Sequence, residues 1–435
     1  MVNRTNLAQV KIWNKNVGII AWNEDKEYSF FEYEPSFIKL GLNLSPIHMD
    51  IKKQPPFSFR TLNKETYFGL PGLFADSLPD KFGNSIINQW LATQGRDPNS
   101  FSPIERLCYI GKRGMGALEF FPAINKNLDQ SIDLKINDLV NLAQKIFSVK
   151  STFNTEFGKT DKEKKDALTD ILRIGTSAGG ARPKAIIAIN DDNKIISGQT
   201  DVPKGFKHWL LKFDGVNDYE LGLPKNYGRI EYAYYLMAKD AGIYMTECRL
   251  LEENGRAHFL TKRFDRNENK KIHMLSLCGL AHFDYNQAGV YGYENAFSIM
   301  RRLKLPQLDA EQQYRRMVFN VIARNQDDHT KNIAFIIDKK GTWRLSPAFD
   351  VTYSHNPGGL WTNKHQMTIR GKRDNFTIED LLKVGESIRI SKPKKIISEI
   401  IEIVSQWSKY AKKVGITNQR ISEIQSYLRL KLPQN

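Results

Sequence analysis

The chain has 435 residues, 41% of them hydrophobic and 26% charged, which fits a globular protein of two or three domains. Three scattered cysteines, Cys108, Cys248 and Cys278, exclude a disulfide framework and a thiolate metal cage and suit a reducing compartment. The opening MVNRTNLAQVKIW has no apolar signal core and no stretch approaches membrane-spanning length, so a cytoplasmic protein without membrane association is expected, and its net charge of +16 fits polyanionic partners as well as a plain solvated surface.

In chain order, VKIWNKNVGIIAWNEDKEYSFFEY reads as hairpin-forming strands, within a β-rich stretch ending near residue 123. GLPGLFADSLPDKFGNSIINQWLATQG opens as a loop and becomes a helix, and YIGKRGMGALEFFP returns to loop and strand. The glycines of GKRGMGAL are read as structural. Residues 134 to 149 have helical periodicity, and the polar STFNTEFGKTDKEKKDA reads as an exposed connection. From about residue 168 the order is strand (DILRIG), glycine loop (TSAGGARPK) and strand (AIIAI). HWLLKF is a further strand and RIEYAYYLMAKDAGI an amphipathic helix. ECRLLEENGRAHFLTKRF is two strands about an Asn254-Gly255 turn. Helices dominate beyond about 275, including the last 45 residues, interrupted by one hairpin, IAFII-DKKG-TWRL.

That hairpin carries polar residues at both open ends: Asp327, Asp328, His329, Lys331 and Asn332 before it, Asp350 after it. Phosphoryl transfer from ATP needs an Asp near the acceptor hydroxyl, an Asn five residues later and an Asp beyond the next hairpin, the last two holding magnesium. Asp327, Asn332 and Asp350 have that spacing, and folding the hairpin back brings its two ends together. Lys331, between base and metal ligand, would neutralise phosphate charge. Asp and Asn also cap turns and helices, so the spacing alone leaves both readings open. An upstream half agrees with the kinase reading. Lys212 lies within an apolar strand, and Glu231 shares a helix stripe with Tyr234, Ala238 and Ala241. Pairing Lys212 with Glu231 would relieve two costly buried charges, whereas snorkelling to solvent is the alternative for each. In TSAGGARPK, Gly179 and Gly180 allow backbone approach to phosphate while Arg182 and Lys184 add charge; a flexible hairpin turn would look the same.

Taken together these residues resemble the HipA-type serine/threonine kinase toxins of bacterial toxin–antitoxin modules, over nearly the whole chain. FADSLPDKFG and YIGKRGMGAL resemble that family's N-terminal domain, TSAGGARPK its S-x-x-G-A-x-x-K loop, TKRFDR its hinge strand, and NQDDHTKN with SPAFD its catalytic and metal motifs. The resemblance implies an α+β fold: a two-lobed protein-kinase-like core, with β-rich N-lobe and helical C-lobe, preceded by a small β-rich domain. The expected boundaries are 1–125 for the N-terminal domain, 126–268 for the N-lobe and 269–435 for the C-lobe. Asp327 then matches the catalytic Asp, assisted by Lys331, and Asn332 and Asp350 match the ligands of Mg2+. ATP contacts fall to Ser177, Ala178, Gly179, Gly180, Ala181, Lys184, Lys212, Glu231, Lys262 and Phe264. Ser177 matches the loop serine that the family autophosphorylates, with expulsion of the loop and loss of ATP binding; Thr176 stands beside it. The loop departs from the archetype at Arg182 and Pro183, as does the hinge at Lys262. Implied partners are a small helix-turn-helix antitoxin (HipB-like), operator DNA through it, and a protein substrate such as an aminoacyl-tRNA synthetase.

Two other readings stay open. One is a catalytically silent DNA-bound co-repressor. The other is a metal-dependent nuclease using Asp327, Asp328, His329 and Asp350, which leaves the glycine loop and Lys212 without a purpose.

Overall fold

A computed structural model describes residues 4–53, 55–124, 133–137, 140–141, 183–215 and 226–433. It divides into two units: Met1–Leu44, Met49–Asn226 and Arg249–Met274; and Ser45–His48, Tyr227–Cys248 and Leu275–Asn435.

In the first unit, alternating apolar positions build β1 (Leu7–Ile12), β2 (Lys15–Asn23) and β3 (Tyr28–Tyr33). Trp13 and Asn14 take φ of +48° and +63°, the paired left-handed conformation of a tight hairpin turn. With β4 (Leu118–Phe121) these strands form an antiparallel sheet in the order β3-β2-β1-β4. Of the helices described between β3 and β4 in sequence, the two longest position the core of this unit. Helix α1 (Lys81–Thr93) is capped by Asp80, whose Oδ1 accepts from Gly83 N at 2.6 Å. Helix α2 (Pro103–Ile110) starts with a reciprocal Ser102–Glu105 capping box and Pro103 in its first turn. Of the helix expected over 134–149, residues 136–137 and 140–141 are described and helical; the connection at 151–167 and DILRIG lie outside the described residues.

The same unit holds a five-stranded sheet ordered β6-β5-β7-β9-β8: β5 (Lys184–Ile189), β6 (Ile195–Ser197), β7 (Lys207–Lys212), β8 (Cys248–Glu253) and β9 (Arg256–Lys262). Asn254 and Gly255, with φ of +47° and +77°, make the turn that their sequence predicts. One face of this sheet, through Ala185, Ile187, Trp209, Leu211 and Leu260, packs against Ile86, Ile87, Trp90 and Leu91 of α1 and Tyr109 of α2. Each large side chain so buried contributes about 2 kcal/mol. Helices α1 and α2 and the β5–β9 sheet therefore share one apolar core. The GKRGMGAL glycines are structural, as read: Gly116 N donates to Asp265 Oδ2 at 2.8 Å, and Arg266 donates to the carbonyls of Gly114 and Gly116. The second half of the TKRFDR motif thus clasps that turn.

The second unit is mainly helical. Helix α3 (Tyr227–Asp240) buries Ile230, Ala233, Tyr234, Met237 and Ala238 on one stripe. Tyr234 packs edge-on to Trp407 at 5.5 Å and donates to the carbonyl of Ala323 at 2.6 Å. After the chain crosses into this unit along β10 (His273–Ser276) come α4 (Leu277–Ala281), α5 (Tyr293–Arg302) and α6 (Gln307–Ile322). The expected hairpin is present as β11 (Ala334–Ile337) and β12 (Trp343–Leu345), pairing Phe335 with Leu345 and Ile337 with Trp343. Asp338 Oδ1 accepts from the backbone N–H groups of Lys340 and Thr342 at 2.9 Å, and Gly341 supplies the φ of +85° that closes the turn. Helices α7 (Ile378–Ser387), α8 (Pro393–Ser405), α9 (Trp407–Lys413) and α10 (Asn418–Tyr427) complete the unit. Among the described residues no helix is long and apolar enough to cross a membrane.

Candidate active site

The residues flanking the β11–β12 hairpin are drawn together by backbone pairing. Asn325 bridges Ser354 in parallel fashion, Gln326 N donates to Ser354 O at 3.0 Å, and Ser354 N donates to Arg324 O at 3.1 Å. The hairpin ladder closes one end of the intervening chain and this bridge closes the other. Asp309 at the start of α6 fixes the hairpin's position. It accepts from Arg344 Nε and Nη2 at 2.9 and 2.8 Å and from Leu345 N at 2.8 Å.

Asp327 and Asp328 are neighbours with opposite surroundings. The Asp327 side chain is 40% exposed. Its Oδ1 accepts from Trp361 Nε1 at 2.6 Å, and His329 Nε2 stands 3.8 Å from the same oxygen. Among the described residues Oδ2 has no hydrogen-bond partner. Asp328 is buried. Its Oδ2 accepts from Tyr293 Oη at 2.9 Å and His365 Nδ1 at 2.8 Å, and its Oδ1 from Gln366 N at 2.8 Å. Burial opposes its charge, yet His365, the Gln366 N–H and the Tyr293 hydroxyl together hold the carboxyl below its ordinary range. The same burial, with Asp328 alongside, drives the Tyr293 phenol well above its usual value.

The chain of contacts continues to the last helix's exit. His365 Nε2 lies 3.2 Å from Arg429 Nη1. A guanidinium only donates, so Nε2 accepts, the imidazole proton sits on Nδ1, and that proton points at Asp328. Burial, and Arg324 nearby, lower Arg429 to about 9. Arg429 also pairs with Asp374, and its backbone N–H donates to Ile322 O at 2.9 Å.

Asn332 Nδ2 donates to the Asp327 carbonyl at 2.8 Å. That bond fixes the amide's orientation and leaves Oδ1 with no hydrogen bond from a described residue. Asn332 and Asp350 line one cavity of ≈ 20 Å³, with Asn325, Asp328, His329 and Arg316 in its wall. Its polar lining includes buried atoms that no described residue satisfies: Gln313 Oε1, Arg316 Nε, Asn325 Oδ1 and His329 Nδ1. Asp350 has φ of +52°, a conformation that costs a non-glycine residue about 1–2 kcal/mol and is found disproportionately at functional sites. An amide oxygen oriented by its own N–H and a carboxylate on the same cavity are a hard-oxygen donor set suited to Mg2+. Lys331 places its ammonium over the Tyr285 ring at 4.7 Å.

The remaining expected site residues belong to the first unit or to the helix stripe. Lys184 is the first residue of β5 and 3% exposed, and its Nζ is 3.1 Å from Asp80 Oδ2. It stands directly across from Lys212 in the β5–β7 register. Like charges so placed repel, and Asp80 offsets one of them. Lys212 sets its ammonium 5.7 Å from the Phe259 ring centre. Lys262 ends β9 opposite Trp209, and Phe264 is half-buried after it. Glu231 is 2% exposed on α3. Ser177, Ala178, Gly179, Gly180 and Ala181 lie outside the described residues. Sequence spacing missed Trp361, His365 and Gln366, which reach Asp327 and Asp328 from far along the chain, and Arg429, which backs His365.

Two family matches cover most of the chain: the HipA N-terminal domain over residues 8–121 and the HipA-like C-terminal domain over 176–411. The chain belongs to the HipA family. Among curated proteins none matches it. Among solved structures it resembles HipA of the Shewanella oneidensis MR-1 toxin–antitoxin complex of HipA, HipB and operator DNA. That likeness has a TM-score of 0.66 at 13% identity and covers 97% of this chain and 94% of that one. It also resembles the Helicobacter pylori proinflammatory kinase CtkA, distantly, with a TM-score of 0.32 at 10% identity over 55% of this chain and 87% of that one. The fold is that of HipA, mixed α and β, as the resemblance implied.

Proposed function

We propose that this HipA-family chain is an ATP- and Mg2+-dependent serine/threonine protein kinase and the toxin of a toxin–antitoxin module. The observation that carries the reading is the arrangement around Asp327: one carboxylate oxygen held, the other open, and the Asn332 amide anchored to the Asp327 carbonyl in the wall of a cavity that Asp350 also lines. In this reading Asp327 Oδ2 receives the proton of the acceptor hydroxyl. Asn332 and Asp350 hold Mg2+, which supplies shielding of phosphate charge when bound. Lys331 and Lys212 add positive charge, and the Ser177–Ala181 loop covers the nucleotide phosphates. Lys184, buried against Asp80, serves the loop's root rather than the phosphate directly. The nuclease reading has less support: both oxygens of Asp328 already accept hydrogen bonds from the protein, which suits a scaffold better than a metal ligand.

The Shewanella oneidensis HipA, solved with HipB and operator DNA, supports a HipB-like antitoxin and, through it, operator DNA as partners. The protein substrate is a translation component such as an aminoacyl-tRNA synthetase, and Ser177 is the site of self-inactivation. The test incubates purified chain with γ-labelled Mg-ATP, alone and with bacterial extract proteins. Wild type transfers label to itself and to an extract protein, while Asp327→Asn and Asp350→Asn each fall at least tens-fold with unchanged melting. Full transfer by either well-folded variant rejects the assignment.

A further inference from the structure

The loop between His355 and Gln366 is tied to the catalytic loop at both ends and bears one aromatic donor aimed at Asp327. His355 Nδ1 contacts Gln326 Oε1 at one end. At the other, Gln366 N donates to Asp328 Oδ1 at 2.8 Å, while its side-chain amide donates to Trp361 O at 2.5 Å and Gln326 O at 3.3 Å. Within the loop Asn356 N donates to Thr362 O at 3.1 Å, and Gly359 N to Asn356 O at 3.0 Å, so the loop is closed on itself. Gln366 therefore grips the carbonyl of Trp361 and the backbone just before Asp327 with a single amide. Trp361 lies at the surface, 36% exposed, beside a fully exposed Leu360.

The contact made there is short and charge-assisted: indole Nε1 to Asp327 Oδ1 at 2.6 Å. An indole N–H donates and never accepts, so it can orient a carboxylate without competing for a proton. It occupies Oδ1 only. His329 Nε2, at 3.8 Å from that oxygen, is too far to replace it.

Resting on the kinase reading of this site, we propose that Trp361 is a positioning residue for phosphoryl transfer. It fixes the rotamer of Asp327 so that Oδ2 alone faces the acceptor hydroxyl. Without the indole N–H, a 40% exposed carboxylate turns among several rotamers and meets the hydroxyl in only a fraction of them.

The test compares wild type with Trp361→Phe, which keeps the ring and removes the donor. The readouts are single-turnover transfer from saturating γ-labelled Mg-ATP, to the chain itself and to bacterial extract proteins, with Mg-ATP dissociation constant and melting temperature measured in parallel. Trp361→Phe is expected to transfer about tenfold more slowly with unchanged nucleotide affinity and melting. Transfer by Trp361→Phe equal to wild type overturns the role of Trp361 while leaving the kinase reading standing. A slower rate that comes with weaker nucleotide binding or lower melting also overturns it, since the residue is then structural. Absence of transfer by wild type overturns the kinase reading and this role with it.

Discussion

Two adjacent aspartates show how much a side chain's surroundings decide. Asp327 keeps an open oxygen, whereas Asp328 spends its oxygens on Tyr293, His365 and Gln366. Removing the imaginary symmetry between them is a matter of partners, and the partners predict the damage. His365→Ala leaves Asp328 buried with one strong donor gone and Arg429 with one acceptor gone. Chemical denaturation should show a loss of about 3 kcal/mol; a loss within about 0.5 kcal/mol would mean the contact carries no weight. At Ser177 the argument comes from charge. In the proposed kinase reading, phosphate there would add nearly two negative charges beside the nucleotide's own and would offer Arg182 or another cation a new partner. Phosphorylated chain should bind Mg-ATP more weakly than unphosphorylated chain in a nucleotide titration, and equal affinities would remove the proposed switch.

At the scale of elements, the hairpin was legible because its signals are local: apolar runs, a DKKG turn and polar flanks at fixed offsets. The same holds for the Asn254-Gly255 turn. What could not be read are contacts between residues far apart in sequence and carried by polar loops. Trp361 meets Asp327, and His365 meets Asp328, from a stretch whose composition announces only a loop. Lys184 illustrates the same limit: its motif position suggested a phosphate contact, and only the fold reveals Asp80 beside it. The hairpin's own anchor is testable. Asp309→Ala leaves Leu345 N without its acceptor in a buried place and should cost about 2 kcal/mol. Arg344→Ala removes a side chain that is 47% exposed and should cost less than about 1 kcal/mol. Equal losses in denaturation would place the anchor in the ion pair instead of the backbone bond.

For the molecule as a whole, buried histidines set an acid limit, His208 and His258 among them. Burial lowers His273 to about 4 and His282 to about 3, the latter helped by His48 stacked on it; burial and then Arg324 lower His355 to about 4. Folded, they stay neutral where the unfolded chain binds protons, so their contribution is complete above the unfolded value of about 6.5 and is lost as pH falls toward 4. His282→Phe keeps a ring on His48 and should make stability fall less steeply with acid over that window; an unchanged slope would discharge His282. The charge of +16 predicts non-specific, salt-sensitive binding to DNA by the chain alone, and operator specificity only with an antitoxin. Tight binding to one operator by the isolated chain in filter binding at physiological salt would contradict this. Finally, Arg429 comes long after Asp328 in the chain, yet its contact with His365 completes the support behind Asp328, and its backbone N–H closes on Ile322. A ribosome must therefore have passed Arg429 before the loop carrying Asp327 and Asp328 is braced from this side. Truncated products that stop between Asp328 and Arg429 are born without that brace.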